Sequence, residues 1–446
     1  MFKLSRIVCL LILGLSRFVA AESLQSNSFL EKNLASFDYV WTTVRDRYYD
    51  TNLGGHDWNA VYDTLRPKVE NATNIDEVRG VLMQMLGVFG ESHFAIIPST
   101  VYSNLDFNPD QSGRSSTDGT NDTAKTDLSG YPGFDLRLLD STLVVTSVTP
   151  NSPAAEAGIQ PGWILTEIKT DILASFVSDL LKQFSESPTR SLIVYSAIKY
   201  RLLGPVGDSI SLLFLDGENQ PIALNISRIP QKGHPFHFGY LPEVYVWMDV
   251  DTLEKDIGYI AFNGFMDPMC LMPRFNQAIL GFMQYPGIII DLRGNTGGLG
   301  GMAMGMAGWF VNDKNKYLGT LTMRGTELKF IVNPRLQGYR GKVVLLVDAL
   351  SASCSEFLAG GLQDLQRATL IGEHTAGAAL PSMIEKLPNG DGFQYVFANY
   401  VSASGHKLEG LGVVPDIEIV PNREALLQGR DLVLEKAIEW ILTSEK

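Results

Sequence analysis

Between residues 235 and 445 four short runs, IGYIAF, GIIIDL, VVLLVD and TLIG, carry almost no polar side chain at either parity. A strand with one wet face alternates apolar with polar, so a run that is apolar throughout has to be covered on both sides. The stretches between them, PRFNQAILGFMQ, GGMAMGMAGWFV and SCSEFLAGGLQDL, read as helical or glycine-rich. Strand and helix in alternation predict an α/β domain over 235–446 with a largely parallel sheet. Ligands of such sheets collect at the carboxyl ends of the strands. DLRGNTGG and DALSASCSE lie there.

A chain of 446 residues has room for further domains. Residues 22–102 read as helical: Phe37, Val40, Val44 and Tyr48 share one stripe, and Val78, Val81, Leu82, Met85 and Leu86 share a second that follows a cap at Asn74. GVFGESHF then delivers Ser92 and His93 from a glycine-flanked turn. Residues 103–130 are small and polar and predict a linker. Over 131–229 the pattern turns to strands, with LVVTSV, SISLLFL and IALNISRI around the turn TPNSPAAEAGIQPGWILTEI.

At the amino end Lys3 and Arg6 precede an apolar run from Ile7 to Leu15, and small residues close at Ala21. That layout predicts a secretory leader over 1–21, with an uncleaved anchor as the alternative. No later stretch is long and apolar enough to span a bilayer, so the expectation is a secreted or periplasmic protein without an integral span. The net charge of −13 excludes a phosphate-rich partner such as nucleic acid. Past the leader only Cys270 and Cys354 remain, which predicts a fold held by its core rather than by disulfides. His234 and His237 have no Cys or third His beside them in sequence, so neither a metal nor another cofactor is expected.

The sequence LSASCSEF leaves two readings open. Ser351 or Ser353 is an N-cap of the helix that follows, with Glu356 completing a capping box on Ser353. Alternatively a serine there is a nucleophile, exposed at a helix N-terminus where an oxyanion is stabilised.

DLRGNTGG, SASCSEFLAGGLQD, IGEHTAGAALPS and EGLGVVPDIEI, in that order and spacing, resemble the carboxyl-terminal-processing (tail-specific) protease superfamily, which includes the tricorn core protease and interphotoreceptor retinoid-binding protein repeats. The resemblance covers nearly the whole chain after the leader. It implies an α/β multidomain protein: an N-terminal helical region, a PDZ-like β-rich domain over 131–229, and a ClpP- or crotonase-like α/β catalytic domain. VTPNSPAAEAGIQPGWIL resembles a PDZ core, with Trp163 where an acidic residue is usual. YPGFDL, with Gly133, Phe134 and Asp135, would then bind a peptide carboxylate by strand addition.

The resemblance makes Ser353 the nucleophile of a serine-type peptidase acting on peptides or unfolded protein segments. Tail-specific members pair that serine with a lysine, and the lysine position here is Ala378. The tricorn-like solution implies His93 as general base, Ser92 orienting its ring and Glu409 holding Ser92. The backbone N–H groups of Cys354 and of Gly297 or Gly298 would form the oxyanion hole. Cys354 as a thiol nucleophile, His374 as a base, and Lys386 or Lys407 in place of the missing lysine are the competing assignments. Asp291 and Arg293 are expected to form an ion pair. A non-catalytic binding protein is the competing function, because retinoid-binding relatives use the same fold.

Overall fold

The computed structural model describes residues 28–102, 127–185 and 187–444; the leader expected over 1–21 and most of the linker expected over 103–130 lie outside them. The chain divides into two compact units, Met1–Asp106 with Ser382–Ala398, and Phe107–Pro381 with Asn399–Lys446.

The first unit is helical, with a helix over 28–47 followed by Trp58–Glu70 and Ile75–Leu86. Phe37, Val40, Val44, Val78, Leu82 and Met85 are fully buried, so both stripes face the core as their spacing predicts. The Asn74 side chain accepts the Glu77 N–H and caps the third helix. Residues 382–398 complete this unit as a hairpin of strands Ser382–Lys386 and Gly392–Val396, with Ala95–Ile97 added antiparallel to the second. Asp391 fastens the hairpin to the helices: fully buried, it takes two hydrogen bonds from Arg79, at 2.7 and 3.0 Å, and one from the Ser99 N–H.

The second unit holds a six-stranded sheet in the order Met248–Leu253, Ile257–Phe262, Gly287–Asp291, Lys342–Val347, Thr369–Gly372 and Ile417–Glu418. Only the first pairing is antiparallel; the others are parallel. Ile288, Ile290, Val343, Leu345 and Val347 join the core beneath helices Pro268–Gly281, Gly300–Ala307 and Cys354–Asp364. Ile289, Val344, Leu346 and Ile371 point the opposite way, onto helix Leu432–Thr443. Burial of both parities is why these runs admit almost no polar residue, each large aliphatic side chain contributing about 1.5–3 kcal/mol.

Ahead of this sheet in sequence, the same unit carries an antiparallel sheet ordered Phe134–Leu139, Thr142–Val148, Ile164–Ile168, Ser209–Leu215 and Pro221–Ser227. Its core gathers Phe134, Val145, Leu165 and Phe214 with Val177, Val194 and Ile198 from helices Leu173–Gln183 and Arg190–Leu202. The Ala-rich helix is Pro153–Glu156, capped by Ser152. Strand Phe134–Leu139 is at the sheet's edge.

Candidate active site

Strand Lys342–Val347 ends at Asp348, and helix Cys354–Asp364 begins six residues later. Two of the three serines in this turn are consumed internally. Ser351, fully buried, donates to the Leu292 carbonyl at 2.7 Å and accepts the Asp348 N–H. Ser355, also fully buried, donates to Asn295. Ser353 is the partly exposed member. Its backbone sits at φ 55°, ψ −116°, a region that favours glycine and costs another residue about 1–3 kcal/mol.

The surroundings hold that conformation in place. The Ser353 N–H reaches the Ala378 carbonyl at 2.8 Å and Glu356 Oε2 at 3.0 Å. Fully buried Glu356 also accepts from Thr375 Oγ1 and from the N–H groups of Gly377 and Ala378, at 2.6, 2.8 and 3.1 Å. Burial pushes its carboxyl up to about 7, against the pull of those donors. Glu356 is thus the capping partner expected from sequence, and it also ties the Ser353 turn to loop 375–378. Glu409 holds the next residue of that loop, accepting the Ala379 N–H at 2.9 Å.

Gly297 and Gly298 lie at φ 96° and 141°. A Cβ on Gly297 would come within 2.7 Å of Ser353 Cβ and 2.9 Å of the Cys354 nitrogen, so only glycine permits this approach. The Gly297 N–H is directed to Asn295 Oδ1 at 3.0 Å and its carbonyl accepts from Phe265. That corrects one assignment: Gly297 shapes the site while its amide is spent on Asn295. The amides of Gly298 and Cys354 carry no hydrogen bond to an acceptor among the described residues. The Cys354 thiol is buried, donates to the Gly298 carbonyl at 2.9 Å and is pushed up to about 12 by burial, which leaves it unfit as a nucleophile.

Ala378, at the position of the absent lysine, is buried with Ala352 and Ala376, and Leu192 packs on the three. His374, Lys386 and Lys407 are exposed. Asp291 and Arg293 form the expected ion pair at 2.6 Å, extended by Tyr259 and Asp431. Arg137 gives a link that no local signal announces. It binds Asp135 at 2.7 Å and Asp348 at 2.8 Å, so the β-rich segment reaches the turn that precedes Ser353. Burial works to raise the Asp135 carboxyl, and Arg137 and Lys199 override it, holding the group below its ordinary range. Phe134 is buried in its own sheet and Gly133 packs on Ser152. Both therefore present backbone rather than side chain.

In the first unit, Ser92 Oγ lies 2.6 Å from His93 Nδ1. The loop is anchored through Glu91, which accepts the hydroxyls of Tyr48 and Tyr49 at 2.8 Å each, and through stacked Phe89 and Phe94. His93, at φ 62°, remains partly accessible, yet enough protein surrounds it that desolvation pushes the imidazole down to about 4.

Residues 256–419 match the family model described as Peptidase family S41, and residues 31–87 match the Tricorn protease C1 domain. The carboxyl-terminal-processing protease of Synechocystis is 27% identical over 385 residues, spanning 84% of this chain and 78% of that protein. The chloroplastic carboxyl-terminal-processing peptidase 2 of Arabidopsis thaliana is 25% identical over 416 residues, 93% of this chain and 74% of that one. Among solved structures, the photosystem II D1 C-terminal processing protease superposes with a TM-score of 0.56 at 18% identity, covering 90% of this chain and 98% of its own. The tricorn protease gives 0.51 at 18%, covering 93% and 37%. The class is therefore a serine-type peptidase, a hydrolase. More narrowly, residues 256–419 carry a peptidase family S41 domain, and the fold is shared with carboxyl-terminal-processing and tricorn proteases.

Proposed function

We propose that the chain is an endopeptidase working outside the cytoplasm, on peptides or unfolded protein segments, through Ser353, His93, Ser92 and Glu409. His93 takes the Ser353 proton as the hydroxyl attacks the scissile carbonyl and then returns it to the leaving amine. Ser92 orients the imidazole through Nδ1, leaving Nε2 for the proton transfer, and Glu409 steadies Ser92. The Cys354 and Gly298 amides receive the oxyanion. The extracytoplasmic setting rests on the leader expected over 1–21 from Lys3, Arg6 and the apolar run after them.

The observation that carries this reading is the strained backbone at Ser353 beside the amides of Gly298 and Cys354, which have no acceptor among the described residues. Strain of that kind persists where surrounding structure enforces it, and two uncommitted amides can both donate to an oxyanion. A fluorophosphonate probe should label Ser353 in the wild type, not in S353A, and only weakly in H93A. A folded chain that resists labelling would instead support the non-catalytic binding reading, for which the alanine at 378 is the favouring feature.

The β-rich segment serves as the PDZ-like element: its edge strand Phe134–Leu139 takes the substrate tail as an added strand, and the Gly133–Asp135 backbone receives the terminal carboxylate. Free-acid peptides should bind more tightly than the same peptides amidated; equal affinity would show a different mode.

A further inference from the structure

His234 stands on strand His234–Phe236, whose partner is Val244–Val246, and Asp267 and Cys270 belong to the first turn of helix Pro268–Gly281. Thirty-three residues separate His234 from Asp267 in sequence, and the fold brings them together. His234 Nε2 is 2.7 Å from Asp267 Oδ2. Asp267 Oδ1 is used differently, accepting the Cys270 N–H at 3.1 Å and so capping the helix. One donor atom from each of His234, Asp267 and Cys270 lies within 4.8 Å of the others.

We propose that these three side chains bind a zinc-like divalent transition-metal ion, with the fourth position open to water. The donor set is the argument. An imidazole nitrogen, a thiolate and a carboxylate suit zinc and its neighbours, whereas calcium and magnesium ask for oxygen alone. Neighbouring ligands of a tetrahedral zinc are about 3.5 Å apart, so the site closes with movements of about 1 Å. Cys270 is exposed and its side chain is free to make that movement.

A metal ion would take His234 Nε2 by its lone pair, Cys270 as thiolate and Asp267 as carboxylate, and any proton these atoms carry would leave to solvent on binding. A histidine–aspartate hydrogen bond alone accounts for two of the residues. It gives no reason for an exposed thiol within reach of both, on a helix turn already oriented by the same aspartate. Occupancy would cross-link two elements remote in sequence. It would also reach the catalytic turn, because Asp267 is two residues past Phe265, whose N–H and carbonyl hold Gly297 and Leu299.

The test is a Co2+ titration of the full chain in a C9S background, which leaves Cys270 and Cys354 as the thiols. A thiolate-to-cobalt charge-transfer band saturating at one equivalent, displaced by Zn2+ and lost in both C270S and H234A, is the expected result. One equivalent of Zn2+ should raise the melting temperature of the C9S protein and leave that of C9S/C270S unmoved. Absence of a stoichiometric band in the C9S protein, or a band surviving either substitution, overturns the proposal. C270S changes an exposed side chain, so loss of the fold cannot explain its outcome.

Discussion

The turn around Ser353 and the loop around His93 supply the two halves of the proposed chemistry, and they are built on opposite plans. In the turn, the hydroxyls of Ser351 and Ser355, the carboxylate of Glu356 and the amide of Gly297 have internal partners, and one strained serine is left facing outward. In the loop, aromatic packing and two tyrosine hydroxyls on Glu91 do the holding, and Ser92 and His93 contact one another. A nucleophile needs placement to a fraction of an ångström against its oxyanion donors. A base needs a suitable pKa and reach.

The largest test of that contrast is to delete each reacting group. S353A should lower turnover by on the order of 10⁴–10⁶-fold, and H93A by roughly 10²–10⁴-fold. S92A and E409Q should each lose less than H93A, as expected of residues acting through the base. If H93A retained full turnover in a folded protein, the loop would have no part in catalysis.

Next in size is the pH profile. His93 is held down at about 4 by burial, and neutral imidazole is the form that accepts a proton. Activity should therefore persist as pH falls below the ordinary histidine range and be lost only as pH drops through about 4. An acid limb near 6.5, the value of a solvated histidine, would place the working His93 in water. Glu356, pushed up to about 7, titrates separately, so any limb that disappears in E356Q belongs to the turn rather than the loop.

Glycine substitutions compare the two frameworks directly. In G297A the new Cβ would lie 2.8 Å from the Ala352 carbonyl oxygen, at φ 96°. A loss of about 2–4 kcal/mol in denaturant unfolding, with most of the activity, is expected. Gly90 has φ 61° with nothing within 4 Å, so G90A should lose only about 1 kcal/mol, the backbone contribution alone. Equal losses would mean that the turn is no more tightly packed than the loop. The smallest effect is expected of K386A and K407A, whose exposed ammonium groups should leave turnover unchanged within about twofold. Loss of activity in either would install a displaced lysine as the base.

The catalytic sheet was legible because burial on both faces removes polar residues from Ile257–Phe262, Gly287–Asp291 and Lys342–Val347, a pattern few other arrangements produce. Its antiparallel edge, Met248–Leu253, was not, since MDVDTL has exposed polar positions and no two-sided burial. Helix Arg190–Leu202 was missed for a related reason: β-branched and aromatic residues such as Ile193, Val194 and Tyr195 weaken the local helical signal, and packing against the sheet decides; helix Leu173–Gln183 was missed although LASFVSDLLKQ carries a clear helical stripe. Asn33, Ser36 and Arg79 meet Asn389 and Asp391 some 300 residues later, and no window of sequence contains such a pairing. Within the candidate site, the residues alone left Ser351 and Ser353 open, because both sit among small neighbours after a strand, and only the resemblance singled out Ser353. The Arg137 link to Asp348 was not legible, because each looks locally like an ordinary surface charge.

The backbone at 353 is open to glycine and nearly closed to every other residue. A lineage of this chain that ceased to cleave would lose nothing by drifting to glycine there, and would gain a firmer fold. S353G should accordingly melt at a higher temperature than the wild type and show no turnover, with S353A, which keeps the strain, melting below it. With Ser353 in its proposed role, position 353 is thus a place where selection for chemistry and selection for folding ask for different residues.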